Sequence, residues 1–116
     1  MNTKLEQPVL LESVRTPIGS FGGSLSTIPA SDLAALVLKE AAKRSSVDIA
    51  DIEQVILGCV GQVAEDGYIA RHAAIKAGLA TGSTAYAVNR ICGSGLEAIN
   101  TAARWIELGE AQYILA

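Results

Sequence analysis

Strand-like and helix-like stretches alternate along the whole of this 116-residue chain, and nothing else in the sequence restricts its fold so tightly. Four short, mostly apolar runs read as strands, at residues 9–14, 54–57 (entering Gly58), 84–88 and 112–116. Three amphipathic stretches lie between them. The first starts at Ser31, a side chain suited to capping a helix, with Asp32 on the positive end of the helix dipole. Leu33, Leu36, Val37 and Ala41 then recur at helical spacing, while Lys39, Glu40, Lys43 and Arg44 are left for water. A second helix is expected over 68–77, stopped by Gly78 in a left-handed turn, and a third over 96–108, ending at Gly109. Strands that alternate with helices in this rhythm form parallel pairs joined by right-handed crossovers. The expected class is therefore α/β, as a single unit with no internal repeat.

Composition supports that class and removes others. Half of the residues are apolar but only 4% are aromatic, so the core has to be built from Ala, Val, Ile and Leu, a mixture suited to helices packed closely on a sheet. The formal charge is -3 with no cluster of Lys and Arg, which gives nucleic acid nothing to hold. No apolar run reaches the roughly 18 to 20 residues needed to cross a bilayer. The opening residues 1–9 contain neither an apolar leader core nor an Arg-rich transit pattern, so a reducing cytoplasm is the expected location. Cys59 and Cys92 fit neither a disulfide framework nor a zinc site, and no metal site is expected. The glycines of the 15–30 loop invite a phosphate cradle, but no Lys-Ser or Lys-Thr follows them. The chain also stops inside an apolar strand, from which an incomplete domain is expected.

Cys92 falls where the third strand gives way to the third helix. Main-chain N–H groups in a first helical turn have no internal partner, and the aligned peptide dipoles favour negative charge there, which for a cysteine means the thiolate. Gly93 and Gly95 take side chains away from the turn and leave space for a carbonyl to approach the sulfur. Two other readings of the same residues stay open. Free cysteines are commonly small buried hydrophobes. The run Gly93-Ser94-Gly95-Leu96-Glu97-Ala98 also fits a dinucleotide fingerprint, although in the third strand–helix unit rather than the first.

Asn-Arg-Ile-Cys-Gly-Ser-Gly-Leu-Glu-Ala-Ile at 89–99 resembles the nucleophile motif of the thiolases, the acetyl-CoA acetyltransferases and 3-ketoacyl-CoA thiolases. Arg-Thr-Pro-Ile-Gly-Ser-Phe-Gly-Gly at 15–23 is similar to that family's opening loop. Gly-Cys-Val-Gly-Gln at 58–62 and Ala-Arg-His-Ala-Ala at 70–74 are similar to its second strand and helix. These matches are collinear from about residue 9 to residue 116.

The resemblance implies a three-layer α/β/α fold with a mixed, mostly parallel sheet. Residues 1–116 would form an incomplete N-terminal half, without the coenzyme A-binding insertion or the second half. It further implies that Cys92 attacks an acyl-CoA thioester, with its backbone N–H helping to hold the oxyanion. The acyl group would then pass to acetyl-CoA, or the reverse thiolysis would run. No resident cofactor is implied, coenzyme A thioesters being substrates, and the partner would be a second copy in a homodimer or homotetramer. The family's activating histidine and second catalytic cysteine match nothing here. His72, the one histidine, is expected at a surface or subunit contact, Cys59 as a buried structural thiol, and Arg90 solvated or paired away from Cys92. Residues 65–69 depart from the Gln-Asn-Pro form of biosynthetic members, which bears on acyl specificity. The alternatives are a non-catalytic assembly module of the same fold, or a related ketoacyl-synthase-type condensing enzyme.

Overall fold

The computed structural model describes residues 4–116. Met1–Thr3, part of the opening segment read as carrying no leader, lie outside the described residues. The regular elements run α1 (Ala30–Ser45), β1 (Gln54–Gly58), α2 (Ile69–Ala77), β2 (Thr84–Val88), α3 (Ser94–Glu107) and β3 (Ile114–Leu115). One-turn 3-10 segments at Ile49–Asp51 and Ala64–Tyr68 lead into β1 and α2. The three strands are parallel in the order β2-β1-β3, with Gln54 opposite both Thr84 and Ile114.

Alternation along β1 divides the core between the two faces of the sheet. Val55 points to one face, where Ala35, Leu38 and Ala42 of α1 meet Ala73, Ala74 and Ala77 of α2. Ile56 points to the other, against Ala98 and Ala102 of α3. Both are fully buried. Two helices on one face and one on the other make the three layers expected of an α/β/α unit. The near absence of aromatic residues shows in the packing. Alanine stripes let α1, α2 and the sheet approach closely, and Trp105 and Tyr86 pack at the margin of the α3 layer.

Several sequence expectations hold closely. β2 spans the anticipated residues, α2 begins one residue late, and Gly78 closes it in the left-handed region at φ 93°. Others need correction. Residues 9–14 form no strand, and Val9, Leu10 and Leu11 are 69%, 82% and 54% exposed. Both edges of β1 are occupied, by β2 and β3, and residues 9–14 pair with the outer edge of neither, lying instead beside the two-residue β3 and lining a concavity there. The final strand is correspondingly shorter than 112–116.

Helix α1 starts at Ala30 with Pro29 in the cap position and no side-chain capping bond. Ser31 is instead buried in the first turn, where its hydroxyl accepts from Lys76 Nζ of α2 at 2.8 Å. The same ammonium pairs with Asp32. The buried stripe of α1 is Ser31, Ala35, Leu38 and Ala42, rotated from the anticipated Leu33–Val37–Ala41 face, and Leu36 is 62% exposed. Close contact with the alanine face of α2 favours the small residues over the larger ones. The antiparallel component of a mixed sheet has no counterpart among the described residues.

Candidate active site

The connection leaving β1 leads to α2 on one face of the sheet, and the connection leaving the adjacent β2 leads to α3 on the other. Where neighbouring parallel strands send their chains to opposite faces, a crevice opens beyond their carboxyl ends, the usual place for a site in an open α/β sheet. Residues 59–63 and 89–93 border that crevice. They are joined by the Cys59 N–H, which donates to Val88 O at 3.0 Å, and by Asn89 Nδ2, which donates to Val60 O at 3.4 Å.

Helix α3 begins two residues earlier than the sequence suggested, at Ser94 with Gly93 as N-cap, so Cys92 stands just ahead of the helix. It is solvent-exposed, which removes the reading of a buried hydrophobe. The turn presenting it is unusual. Ile91 has φ +50°, the left-handed region that a β-branched residue avoids at a cost of about 1–2 kcal/mol.

Two side chains hold that conformation. Asn89 Oδ1 accepts the Ile91 N–H at 3.0 Å. Ser94 Oγ accepts the Arg90 N–H at 2.8 Å and donates to Ile91 O at 2.6 Å. The Gly93 N–H donates to Arg90 O, and the Ser94 N–H to Ile91 O, both at 3.1 Å. Ser94 is buried, and no side chain caps the helix. The N–H groups of Gly95 and Leu96, in the first turn, have no acceptor among the described residues.

The glycines here divide into two kinds. A Cβ on Gly58, at the end of β1, would lie 2.5 Å from Gly95 N and Ser94 C, so the head of α3 rests directly on the strand. A Cβ on Gly95 would meet nothing within 4 Å, and one on Gly93 only Arg90 O at 3.5 Å. The space beside Cys92 is therefore open and not filled by the chain's own packing.

Charge near the turn is compensated. Arg90 Nη1 pairs with Glu97 Oε2 at 2.9 Å, and Arg104 Nη1 with Glu97 Oε1 at 3.1 Å. Hydrogen bonds from Arg104 and then Arg90 hold the Glu97 carboxyl below its ordinary range. Arg90 is thus paired, as anticipated. His72 lies exposed on α2, its ring 6.4 Å from that of Tyr68. Cys59 is half-buried at the strand end and not fully enclosed as expected, because the strand ends there and the chain turns outward.

Two concavities, of about 420 and about 610 Å3, lie at the β3 edge beside residues 6–14, and neither includes Cys92. Cys92 and these open, mainly apolar concavities are separate features. No group of His, Cys, Asp and Glu able to hold a metal ion occurs among the described residues. No helix among them is long and apolar enough to cross a membrane.

Residues 9–116 match the family model described as thiolase, N-terminal domain. The chain belongs to the thiolase family. It is 42% identical over 108 residues to an acetyl-CoA acetyltransferase of Syntrophomonas wolfei, covering 93% of this chain and 27% of that protein. It is 45% identical over 109 residues to a beta-ketoadipyl-CoA thiolase of Pseudomonas aeruginosa, again covering 92% of this chain and 27% of the relative. Among solved structures, the Bacillus anthracis acetyl-CoA acetyltransferase superposes with a TM-score of 0.94 at 38% identity, over 97% of this chain and 29% of that one. The chain therefore spans less than a third of the thiolase relatives it matches.

For this thiolase-family chain the sequence located the cysteine but not its supports. Asn89, Gly58 and Ser94 act on the turn through contacts that residue type does not announce. The one available signal was an Asn at the start of the loop that opens the helix, a residue type that often accepts the N–H two positions on in an Asx turn.

Proposed function

We propose that the protein carrying this chain is an acyltransferase of the thiolase type and that Cys92 is its acyl-accepting nucleophile. The observation supporting this reading is the placement of Cys92: exposed, ahead of α3, in a turn held by side chains, with open space at Gly93 and Gly95. The Cys92 sulfur, as thiolate, attacks the carbonyl carbon of an acyl-CoA. The carbonyl electrons move to oxygen, then return as the bond to the coenzyme A sulfur breaks, leaving coenzyme A thiolate and an S-acylcysteine. The backbone N–H of Cys92 serves the transient oxyanion, a fixed dipole of the kind that lowers such barriers by several kcal/mol.

In the synthetic direction the acetyl-CoA carbanion then attacks the acyl carbonyl carbon, forming a carbon–carbon bond as the bond to sulfur breaks and the Cys92 thiolate leaves. Thiolysis of a 3-ketoacyl-CoA is the reverse. The relatives' names, an acetyl-CoA acetyltransferase and a beta-ketoadipyl-CoA thiolase, support coenzyme A thioesters as the substrate class. Deprotonation of the second substrate needs a base, and the family's activating histidine and second catalytic cysteine match no residue of this chain. Cytoplasmic location and assembly as a homodimer or homotetramer belong to the same proposal, as does the absence of any resident cofactor.

The full-length protein incubated with acetyl-CoA should gain a single acetyl group, about 42 Da by intact mass under the thioester chemistry above. Peptide mapping should place it on Cys92, and Cys92→Ala should remove it. Equal acetylation of the Cys92→Ala protein would refute the assignment.

A further inference from the structure

We infer that Asn89 and Ser94 are positioning residues for Cys92, acting through the left-handed backbone of Ile91. This rests on the reading of Cys92 as the acyl acceptor. Ile91 immediately precedes Cys92, so its φ and ψ aim the cysteine relative to α3. An isoleucine left to itself would relax from φ +50° towards the right-handed or extended regions and rotate Cys92 away.

Three bonds oppose that relaxation, two of them from Ser94. The Ile91 N–H is held by Asn89 Oδ1 at 3.0 Å, and Ile91 O by the Ser94 hydroxyl at 2.6 Å. The same hydroxyl accepts the Arg90 N–H at 2.8 Å, so residues 90 and 91 are clamped to the first residue of α3. Ser94 is in turn fixed against the sheet, because Gly58 allows its backbone to approach β1 without a side chain between. Asn89 ties the other end of the turn to Val60 at the crevice wall. The strained residue is thus restrained from both flanks. Strain that persists beside a reactive group points to a geometric requirement at that group.

The test uses the full-length protein and two reagents, acetyl-CoA, which demands an aimed sulfur, and iodoacetamide, which demands only an accessible one. Asn89 is exposed, so its replacement leaves the core intact. Asn89→Ala should slow acetylation of Cys92 at least tenfold, while alkylation of Cys92 by iodoacetamide stays within about threefold. Asn89→Asp keeps the acceptor for the Ile91 N–H and should retain most of the acetylation rate. Adding Ile91→Gly to Asn89→Ala should restore the rate, because glycine adopts φ near +50° freely. Ser94→Ala, at a buried position, should behave as Asn89→Ala does and be rescued in the same way.

Wild-type acetylation rates in Asn89→Ala would overturn the inference and leave the Cys92 assignment standing. So would equal loss of acetylation and alkylation, or failure of glycine at 91 to rescue, either of which marks general damage to the fold. Absence of acetylation in the wild-type protein would remove the nucleophile reading and this inference with it.

Discussion

Glycine 58 lies against the backbone of Ser94 and Gly95 where β1 meets α3, yet Gly58 and Gly95 answer to different demands. At Gly58 the obstructing atoms are backbone, 2.5 to 2.7 Å from a would-be Cβ, and backbone in a helix head cannot swing aside as a side chain would. Gly58→Ala should therefore lower unfolding stability by about 1–3 kcal/mol, the usual range for overpacking. Gly95 is free of that constraint, and alanine in a helix is better than glycine by about 0.5–1 kcal/mol. Gly95→Ala should leave stability unchanged or slightly raised while slowing acetylation of Cys92, because the vacant volume is where an acyl group would approach. Denaturant unfolding and an acetylation time course on the same two variants check both statements. Full activity in Gly95→Ala would show that the space is unused, and wild-type stability in Gly58→Ala would show that the strand and helix are not in tight contact. The sequence revealed Cys92 because a helix start is a local pattern. Gly58 looked like an ordinary strand end because its need for glycine arises from residues 94 and 95, far along the chain.

At the level of elements, local signals were reliable where one segment decided its own conformation and failed where neighbours decided. Strand β2 and the Gly78 stop of α2 were legible because alternation and left-handed glycine are properties of a few adjacent residues. Residues 9–14 carry the composition of a strand, but a strand also needs a partner, and this segment pairs with neither free edge of the sheet. The inward face of α1 was misjudged for a similar reason: alanines opposite alanines pack more closely than the leucines that dominate its hydrophobicity. Helix α3 has the clearest electrostatic feature, Glu97 bonded to Arg104 one way and Arg90 the other. Its carboxyl is held below the ordinary 4.5, first by Arg104 and then by Arg90. A depressed folded pKa contributes stability that is fully present above the unfolded value and is lost as pH falls through the folded value. Glu97→Gln should accordingly be less stable than wild type by a constant margin from pH 7 down to about 5, and the margin should shrink below about 4.5. Urea unfolding at pH 7, 5, 4 and 3 measures it. A margin that stays the same at pH 3 would mean that the carboxylate charge contributes nothing and that only shape is lost.

Considered as a whole, the molecule is lopsided, and the lighter side carries the candidate site. One face of the sheet is sealed by two helices whose alanine stripes interlock with Val55, supported by Ile52 and Leu79. The other is covered by α3 alone through Ile56, Ala98 and Ala102, with Trp105 Nε1 donating to Tyr86 OH at 3.1 Å. Leu96 in α3 and Leu108 just past its end are each 65% exposed and add little burial to hold the helix down. Local opening free energies follow buried apolar contact, so the layers should not open together. In native-state hydrogen exchange of the 116-residue chain, amides of residues 98–107 should exchange through an opening of lower free energy than those of β1 and α2. Ile56→Ala, which removes the buried side chain beneath α3 at a cost of about 2–5 kcal/mol, should speed exchange in α3 further. It should leave the order of protection between α1, α2 and β1 unchanged. If α3 amides prove as protected as those of β1, the three layers open as one cooperative unit and the turn that presents Cys92 is as stable as the core. If the predicted order is found, that turn is anchored to the least stable layer, and its aim depends on the clamp at Asn89 and Ser94 more than on the bulk of the fold.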